Sequence, residues 1–258
     1  ASRGLGDVYK RQVWSMYDYN RGCCDNICYS GLADLFRLPK FGLLYFRTQM
    51  KEGTFTPAGP MTYEVFINSH WLEGSSDTLQ VYGNVDEVKL QLNGRVIARQ
   101  YPDDKPSTSE YVSRPDGGNA ENIDFPPFTF FNVNWERGEL KAIGYKDGKT
   151  VAEHVVRTPG AVEAMDITYF ESGVSASCRD LLIVYVNLKD LQGTGCFGEN
   201  NREVKLEVLQ GGELRGPATI KAEAGVASFL VATTDSPMLV LKAVSGNLET
   251  MRKLKLKK

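Results

Sequence analysis

The sequence lacks long hydrophobic runs and has no excess of either charge. None of its apolar stretches approaches the roughly 20 residues that span a bilayer, so no membrane partner is expected. Lys and Arg number 30 against 32 Asp and Glu, for a formal net charge of −2. There is therefore no bulk electrostatic attraction to nucleic acid, and no nucleic-acid partner is expected. With 258 residues, the chain has room for two ordinary domains and part of a third.

Cysteine is sparse, and its spacing is irregular. The five cysteines do not form the even, regular series of a disulfide framework. Cys23, Cys24 and Cys28 have no nearby histidine and no second cysteine pair, so no metal site is predicted. Cys178 and Cys196 flank a strand-like segment, and the sequence leaves open whether they pair. Asp25, Asn26 and Ser30 offer oxygen atoms, but their spacing matches no calcium-binding loop. We predict neither a metal nor a cofactor.

The first fifty residues differ in pattern from the rest of the chain. Residues 1–12 show neither strand nor helix periodicity and are interpreted as a non-native leader, with a genuine polar loop as the alternative. Val13 to Tyr17 is a short apolar run typical of a buried parallel strand. A loop rich in Asp, Asn and Gly follows, and a helix is predicted from Pro39 to about Met50. This order of strand, loop and helix predicts a single βα unit over 13–53. Because the chain offers this unit no neighbouring parallel strands, residues 13–50 are expected to dock poorly or to form a helix over an incomplete surface.

From Met61 onward the hydrophobic period changes to two, which is typical of β-strands. Asn93-Gly94 and Asp147-Gly148 lie between alternating runs and predict two tight hairpins. The pattern predicts one β-sandwich over 61–160 and a second over 161–258. In the terminal KLKLKK (253–258) the leucines alternate with lysines, so we expect a solvent-facing edge strand and not a nucleic-acid site.

Three ordered stretches carry a resemblance to a known family. VWSMYDYNRG and CYSGLADLFRLPKFGLLYFRTQ resemble the end of the catalytic barrel of family 2 glycoside hydrolases. SHWLEGSSDTLQVYGNVDEVKLQLNGRVIARQ resembles the immunoglobulin-like domain that follows that barrel. DLLIVYVNLKD, GGELRGPATIKAEAG and ASFLVAT resemble an additional C-terminal sandwich. The implied fold is mainly β, with two immunoglobulin-like β-sandwich domains preceded by a remnant βα unit of a TIM barrel.

The resemblance implies that the parent protein is a retaining exo-β-glycosidase similar to β-galactosidases. Such enzymes use two glutamates, yet the only Glu that precedes the first sandwich is Glu52. Because Glu52 follows the predicted helix, both catalytic glutamates are expected upstream of residue 1. No catalytic residue is assigned to this chain, and the chain alone is predicted to be inactive. The family suggests a bacterial periplasmic or extracellular location, which the sequence itself leaves unknown.

Four residues are candidates for contact with a carbohydrate substrate in the intact parent. The resemblance implies that Trp14 lies at the floor of the sugar pocket, with a plain core position as the alternative. Asp18, Asn20 and Arg21 follow in the βα loop, where barrel enzymes place recognition residues. For these three, the alternative is a solvated loop with capping interactions.

Neighbouring residues favour structural roles, and a second function class remains open. Arg37 and Lys40 are expected to anchor the helix through ion pairs, and His70 and Trp71 to pack at a domain interface. The alternative function is a non-catalytic carbohydrate-binding or adhesive tandem β-sandwich module. In that case exposed aromatics are expected, and the one dense cluster, Phe128 to Phe131, is expected to be half-buried.

Overall fold

The computed structural model describes residues 15–20, 22, 27–56, 59–103, 123–171, 173 and 175–257. The leader 1–12, Trp14, Arg21, Cys23, Cys24, Asp25 and Asn26 therefore lie outside the described residues. The described chain is mostly β-structure, in line with the predicted fold class. Within these ranges, no helix has the length and apolar character to cross a membrane.

The described residues before the sandwiches form one helix and one short hairpin. Helix α1 spans Phe41–Thr48, and strands β1 (Phe55–Thr56) and β2 (Gly59–Pro60) pair antiparallel. In the described part of the predicted first strand, only Tyr17 forms a bridge, and it is parallel to Ala33. The prediction of a continuous strand up to Tyr17 is thus only partly met, because a parallel strand needs a neighbouring strand along its whole length.

The helix starts later than the sequence predicts. Pro39 was expected at its first position, but α1 begins at Phe41 and Lys40 occupies the N-cap with an extended backbone. The reason is that the preceding residues are already paired: Pro39 bridges Ala33, and the Lys40 N–H donates to the Leu32 carbonyl. Backbone groups held in this extended pairing cannot also form the first helical turn.

The first sandwich packs a three-stranded sheet, in the order β3-β4-β7, against a four-stranded sheet, in the order β6-β5-β8-β9. Its strands are β3 (Val65–Ile67), β4 (Leu79–Gly83), β5 (Glu87–Leu92), β6 (Arg95–Gln100), β7 (Phe128–Phe130), β8 (Glu139–Lys146) and β9 (Lys149–Arg157). Both predicted hairpins are confirmed. Asn93-Gly94 joins β5 to β6 and Asp147-Gly148 joins β8 to β9, all four residues with positive φ, as a type I′ turn requires.

The second sandwich packs two four-stranded sheets, in the orders β10-β11-β15-β13 and β14-β12-β16-β17. Its strands are β10 (Ala164–Tyr169), β11 (Leu181–Lys189), β12 (Glu203–Gln210), β13 (Gly212–Leu214), β14 (Thr219–Lys221), β15 (Val226–Thr233), β16 (Met238–Ser245) and β17 (Leu248–Lys255). Strand β17 lies at a sheet edge with Lys253 and Lys255 exposed, while Leu256 just beyond it is buried. The predicted edge strand with solvent-facing lysines is thereby confirmed.

Each sandwich has its own hydrophobic core. The first core gathers around the fully buried Trp71 and Phe128, and the second around Val184 and Leu206. Phe128 and Phe130 are almost completely buried, more so than the sequence suggested. They alternate with Thr129 on a strand whose two faces are both covered, since Thr129 is also buried. Cys178 and Cys196 are free thiols, so they do not form a disulfide.

Candidate functional site

Asp18 is the predicted site residue whose surroundings the structure defines most fully. It is 5% exposed. Its Oδ1 accepts a hydrogen bond from the Gly31 N–H at 2.9 Å and from Lys40 Nζ at 2.6 Å. Its own N–H donates to the Ala33 carbonyl at 3.0 Å. The Asp18 carboxylate at the start of the loop therefore binds both the end of the loop, at Gly31, and the start of the helix, at Lys40.

Gly31 permits this arrangement because the backbone passes too close for any side chain. A Cβ atom at Gly31 would lie 2.3 Å from the Asp18 nitrogen and 2.3 Å from the Tyr17 carbonyl carbon. Both contacts are far inside van der Waals separation, and both involve backbone atoms that cannot rotate away. The glycine is required here for close approach.

Lys40 connects this loop to α1, as the sequence predicted. Besides Asp18, its ammonium group donates to the Tyr29 carbonyl at 3.2 Å and lies 5.9 Å from the centre of the Tyr29 ring. Arg37, for which an ion pair was also expected, is instead placed over aromatic rings. Its guanidinium lies 4.7 Å from the centre of the Tyr17 ring and 5.5 Å from that of Phe170. Phe170 belongs to the second sandwich, so Arg37 links the loop to that domain by cation–π attraction.

The other predicted substrate contacts are only partly located. Asn20 is exposed, and its Oδ1 accepts a hydrogen bond from the Gly22 N–H at 2.8 Å, which is a local turn interaction. Trp14 and Arg21 lie outside the described residues. The structure thus brings Asp18 to the loop base and leaves Asn20 at the surface, and the substrate-binding role of all four residues stays a prediction.

A cleft of about 570 Å³ lies between the start of α1 and the second sandwich. Its size is within the range of small-molecule sites, but its walls are mostly apolar. The residues that line it are Asp34, Phe36, Leu38, Pro39, Lys40, Phe41, Leu44, His70, Asn187, Phe197, Ile220, Lys221, Glu223, Ala224, Val226 and Ser228. They come from the loop, the helix, the first sandwich and the second sandwich, so the cleft is a junction of all described parts of the chain.

His70 forms the aromatic floor of this junction. Its ring stacks on Phe197 with centroids 4.1 Å apart and contacts Phe41 at 4.9 Å. Burial lowers the pKa of His70, because a charged imidazolium is disfavoured away from water. The neighbouring Trp71 is fully buried, and its Nε1–H donates to the Glu136 carbonyl at 3.0 Å. These contacts agree with the prediction that His70 packs between domains, whereas Trp71 lies in the core of the first sandwich and not at the interface.

A smaller cavity of about 370 Å³ adjoins the cleft and shares His70 and Phe197 with it. His154 also lines this cavity, and its Nδ1 accepts a hydrogen bond from the Ile67 N–H at 3.1 Å. To accept this bond the nitrogen must be unprotonated. Burial lowers the pKa of His154 as well. Both histidines of the chain therefore lie at the junction, and both favour the neutral state.

Tyr185 is a junction residue that the sequence analysis did not single out. Its hydroxyl donates to the Phe36 carbonyl at 2.5 Å. Burial, with a further contribution from the charge of Asp34, raises the pKa of Tyr185 to about 12. The hydroxyl hence remains a hydrogen-bond donor at neutral pH. Tyr185 lies within the apolar run LLIVYVNL, where a buried tyrosine needs a hydrogen-bond partner, but the sequence alone does not indicate the partner.

The helix is fixed to the first sandwich by a further set of polar contacts. Arg47 forms a bidentate ion pair with Glu64, in which Nε donates to Oε2 at 2.7 Å and Nη2 donates to Oε1. Gln49 both donates to the Phe125 carbonyl and accepts from the Phe125 N–H, at 2.8 and 3.2 Å. Asn84 donates to the Met50 carbonyl at 3.2 Å. These contacts fix the position of α1 on the first sandwich, which indicates a structural role for them.

In the described part of the chain, no three His, Cys, Asp or Glu side chains are grouped so as to hold a metal ion.

Comparison with known proteins gives sequence matches over nearly the whole chain. The β-galactosidase of Thermoanaerobacter pseudethanolicus is 31% identical over 260 aligned positions, which cover 94% of this chain and 32% of that protein. The β-glucuronidase of Formosa agariphila is 27% identical over 170 positions, covering 65% of this chain and 15% of that protein. A domain of unknown function (DUF4982) matches residues 74–152, within the first sandwich.

Solved structures show the same fold at low sequence identity. A β-glycosidase from Bacteroides vulgatus superposes with a TM-score of 0.72 at 16% identity, over 94% of this chain and 30% of that one. A family 2 glycoside hydrolase from Bacteroides cellulosilyticus gives 0.69 at 17% identity, over 94% of this chain and 34% of that one. The chain spans about a third of the length of the Thermoanaerobacter enzyme and of these two solved structures. The resemblance seen in the sequence is thus confirmed: the chain is a relative of family 2 glycoside hydrolases and corresponds to one part of such a protein.

Proposed function

We propose that the chain is the C-terminal portion of a retaining exo-β-glycosidase of the β-galactosidase type. The observation that carries this proposal is the uneven coverage of the Thermoanaerobacter β-galactosidase, since 94% of this chain aligns to only 32% of that enzyme. The proposed division is 13–53 for the end of the catalytic barrel, 61–160 for the first sandwich and 161–258 for the second. A β-linked sugar is the substrate of the parent protein under this proposal.

The catalytic pair of the parent is proposed to lie outside this chain. A retaining enzyme needs two carboxyl groups about 5–5.5 Å apart. Glu52 lies in the turn after α1, is exposed, and forms a hydrogen bond with the Tyr63 hydroxyl that raises the pKa of that group. These contacts indicate a surface position for Glu52. Without an upstream nucleophile no glycosyl-enzyme intermediate can form.

Trp14, Asp18, Asn20 and Arg21 are proposed to be the contribution of this chain to the sugar pocket. Asp18 is almost fully buried and bound to Gly31 and Lys40. Its part in this set is to fix the shape of the loop that carries the others. Asn20, which is exposed, can turn its amide toward a sugar hydroxyl.

The test is to clone the gene upstream of residue 13 and to assay two proteins in parallel. The full-length protein is expected to hydrolyse an aryl β-galactoside, whereas the 258-residue chain shows no turnover. An aryl β-glucuronide in the same assay separates the two activities named among the relatives. Turnover by the chain alone would refute the proposed division of labour, and a full-length protein inactive on both substrates would refute the proposed activity.

The buried state of Phe128 and Phe130 disfavours the alternative of a free-standing carbohydrate-binding module. Sugar-binding modules present exposed aromatic platforms, while both of these rings lie in the core of the first sandwich. A glycan array probed with the 258-residue chain checks this alternative. Micromolar binding of any glycan by the chain would reverse our preference.

A further inference from the structure

The stretch from residue 251 to residue 258 differs in charge from the rest of the chain. It contains five of the chain's 30 Lys and Arg residues and none of its 32 Asp and Glu residues. The other residues together are therefore acidic, although the formal net charge of the whole chain is only −2. A local run of one sign in a nearly neutral chain indicates a surface suited to an oppositely charged partner.

Most Lys and Arg side chains of the described residues are held by a carboxylate, a carbonyl, a hydroxyl or an aromatic ring. Five exposed lysines form no ion pair, hydrogen bond or ring contact within the described part of the chain. They are Lys149, Lys221, Lys253, Lys255 and Lys257. The last three occupy alternate positions of one short stretch, and we call them the lysine row.

The backbone of the lysine row is fixed along its whole length. Leu254 and Leu256 alternate with the lysines and pack into the core of the second sandwich. Beyond β17, the Lys257 N–H donates to the Ala176 carbonyl at 2.9 Å, and the Lys257 carbonyl accepts from the Cys178 N–H at 2.7 Å. Successive side chains on one face of a strand lie about 7 Å apart. The row therefore presents three cations at regular intervals along one line.

The neighbouring strand β16 supplies no counter-charge to the lysine row. The two row members on β17 lie opposite Val240 and Met238, and β16 contains no acidic residue. Glu249, at the other end of β17, is bound to Lys242 at 2.8 Å. The charge of the row is thus available to a partner outside the chain.

Protection of a sheet edge does not account for the lysine row. Lysines on an edge strand discourage pairing with another chain, but β10 of the facing sheet already lies alongside β17. Arg252 Nη1 on β17 donates to the Ile167 carbonyl on β10 at 2.7 Å, and its guanidinium lies 5.7 Å from the centre of the Tyr169 ring. An edge covered in this way does not require three further cations.

Resting on the proposed function, we propose that the lysine row binds an acidic polysaccharide, a chain of sugars that carries carboxylate or sulfate groups. A line of regularly spaced cations is complementary to a linear polymer with regularly spaced anions. The row thereby holds a polymeric substrate of the parent enzyme outside the catalytic pocket.

Two other polyanionic partners fit the lysine row less well. Surfaces for single-stranded nucleic acid combine cations with aromatic rings on which bases stack, and residues 251–258 contain no aromatic residue. A bilayer surface requires apolar side chains that face the lipid beside the cations. Here the leucines between the lysines are turned into the core.

Affinity electrophoresis of the 258-residue chain tests the proposal. Native gels of low ionic strength contain polygalacturonate, dextran sulfate or neutral dextran, so that carboxylate and sulfate groups are compared in parallel. At least one acidic polymer should slow the chain, and neutral dextran should not. Because the lysines are exposed, salt at about 0.15 M should weaken the binding to below micromolar strength, which keeps this result separate from the glycan array. Equal migration in all three gels would overturn the inference.

Two double variants of equal charge locate the site. Lys253→Gln with Lys255→Gln removes two cations of the row, and Lys149→Gln with Lys221→Gln removes two exposed lysines that lie elsewhere. Lys149 belongs to the first sandwich, and Lys221 lies on β14, at the opposite edge of the sheet from β17. The first variant should bind the acidic polymer about tenfold more weakly, and the second should bind as the wild type does.

An equal loss in both double variants would show that net charge and not the lysine row governs binding, and would overturn the inference. Lys253→Arg with Lys255→Arg keeps both charges and should keep the affinity within about twofold. A loss in this variant as large as in the glutamine variant would contradict recognition by charge.

These experiments separate the inference from the proposed activity. A full-length protein that binds the acidic polymer through the lysine row but hydrolyses neither aryl glycoside keeps the binding surface and loses the proposed function. One that is active but migrates alike in all three gels does the reverse. Tighter binding of the chain to phosphatidylglycerol vesicles or to duplex DNA than to either acidic polymer would overturn the inference, because the partner would then belong to another class.

Discussion

The two sandwiches bury most of their large apolar side chains, whereas the segment before them leaves many of its own exposed. In each sandwich, strands from two sheets enclose a core whose central side chains, such as Phe128 and Val184, are inaccessible to water. In the segment, Leu35 and Phe36 are close to half exposed. A sandwich closes its core with its own strands, whereas the described helix and loop of the segment have too few elements to do so.

The segment nonetheless has a defined position. The sequence predicts that residues 13–50 either dock poorly or form a helix over an incomplete surface, because the chain offers them no neighbouring strands. In the structure the helix forms, Arg47, Gln49 and Phe41 bind the first sandwich, and the Phe36 carbonyl accepts a hydrogen bond from Tyr185 of the second. Polar and aromatic contacts fix a segment that has no hydrophobic core of its own. The following predictions test this contrast, in order of decreasing effect.

The largest effect is expected from truncating a core phenylalanine in each sandwich. Phe128→Ala and Phe229→Ala each remove a ring that is at most 3% exposed, at a cost of about 3–5 kcal/mol in the free energy of unfolding. All three tryptophans, Trp14, Trp71 and Trp135, precede the second sandwich. Urea unfolding followed by tryptophan fluorescence should therefore report the loss in Phe128→Ala.

Phe229→Ala, the variant in the second sandwich, tests whether the two cores unfold independently. If they do, Phe229→Ala lowers the midpoint measured by far-ultraviolet circular dichroism and leaves the fluorescence midpoint in place. A fluorescence midpoint that falls equally in both variants would show that the sandwiches unfold together, through contacts such as His70 on Phe197.

Gly31→Ala tests the close backbone approach within the segment. The added Cβ would lie 2.3 Å from the backbone of Asp18, so the loop must move, at a cost of about 1–3 kcal/mol. Hydrogen exchange at the Asp18 and Ala33 amides should accelerate, while exchange in the sandwich cores stays slow. Gly42→Ala is the control. Its Cβ meets only Leu32 at 3.5 Å, and alanine favours the helix.

Asp18→Ala tests the ion pair that links the loop to the helix. The variant leaves the Gly31 N–H and Lys40 without their shared acceptor. Because Lys40 keeps a third of its side chain in water, we expect a loss of about 1–2 kcal/mol. Asp18→Asn should recover part of this loss through the Gly31 contact. A double-mutant cycle with Lys40→Met measures the pair itself, and a coupling energy near zero would show that the loop does not depend on it.

The smallest effect concerns pH. Burial lowers the pKa of His70 and His154 below the ordinary value of 6.5. As the pH falls below 6.5, both histidines therefore become protonated in the unfolded chain before they do so in the folded chain. Stability should be fully present above about pH 6.5 and should decrease as the pH falls below it.

The variant His154→Gln can still accept the Ile67 N–H without binding a proton, and should flatten part of this decline. Urea midpoints between pH 7.5 and 5.5 measure the effect in the wild type, the variant and the double variant with His70→Gln. Identical slopes in all three would show that neither histidine is responsible.

The β-structure was predictable because its signals are local. Asn93-Gly94 and Asp147-Gly148 predict hairpins through backbone conformations that these residue types favour, and both hairpins are present. The alternation of leucine and lysine near the C-terminus likewise predicts which side chains of β17 face water. In contrast, Pro39 was misplaced by two residues relative to the helix start, because the pairing of residues 39–40 with 32–33 decides it and leaves no local pattern.

The candidate site was less predictable than the fold. The sequence identified Asp18 and the anchoring role of Lys40, but not that the two residues bind each other. It gave no indication of Tyr185 or of the stacking of His70 on Phe197. The Asp18–Lys40 pair joins the two ends of a loop, and the contacts of Tyr185 and His70 join residues from different domains. Hydrophobic periodicity carries no information about such partners.

By itself, the sequence determined the strand pattern, the tight turns and the kinship with family 2 glycoside hydrolases, because each depends on residue types at short spacing. Only the tertiary structure decided where the helical segment lies and which of its side chains remain in contact with water. That outcome depends on surfaces that two separately folded sandwiches bring together, and no short stretch of sequence encodes them.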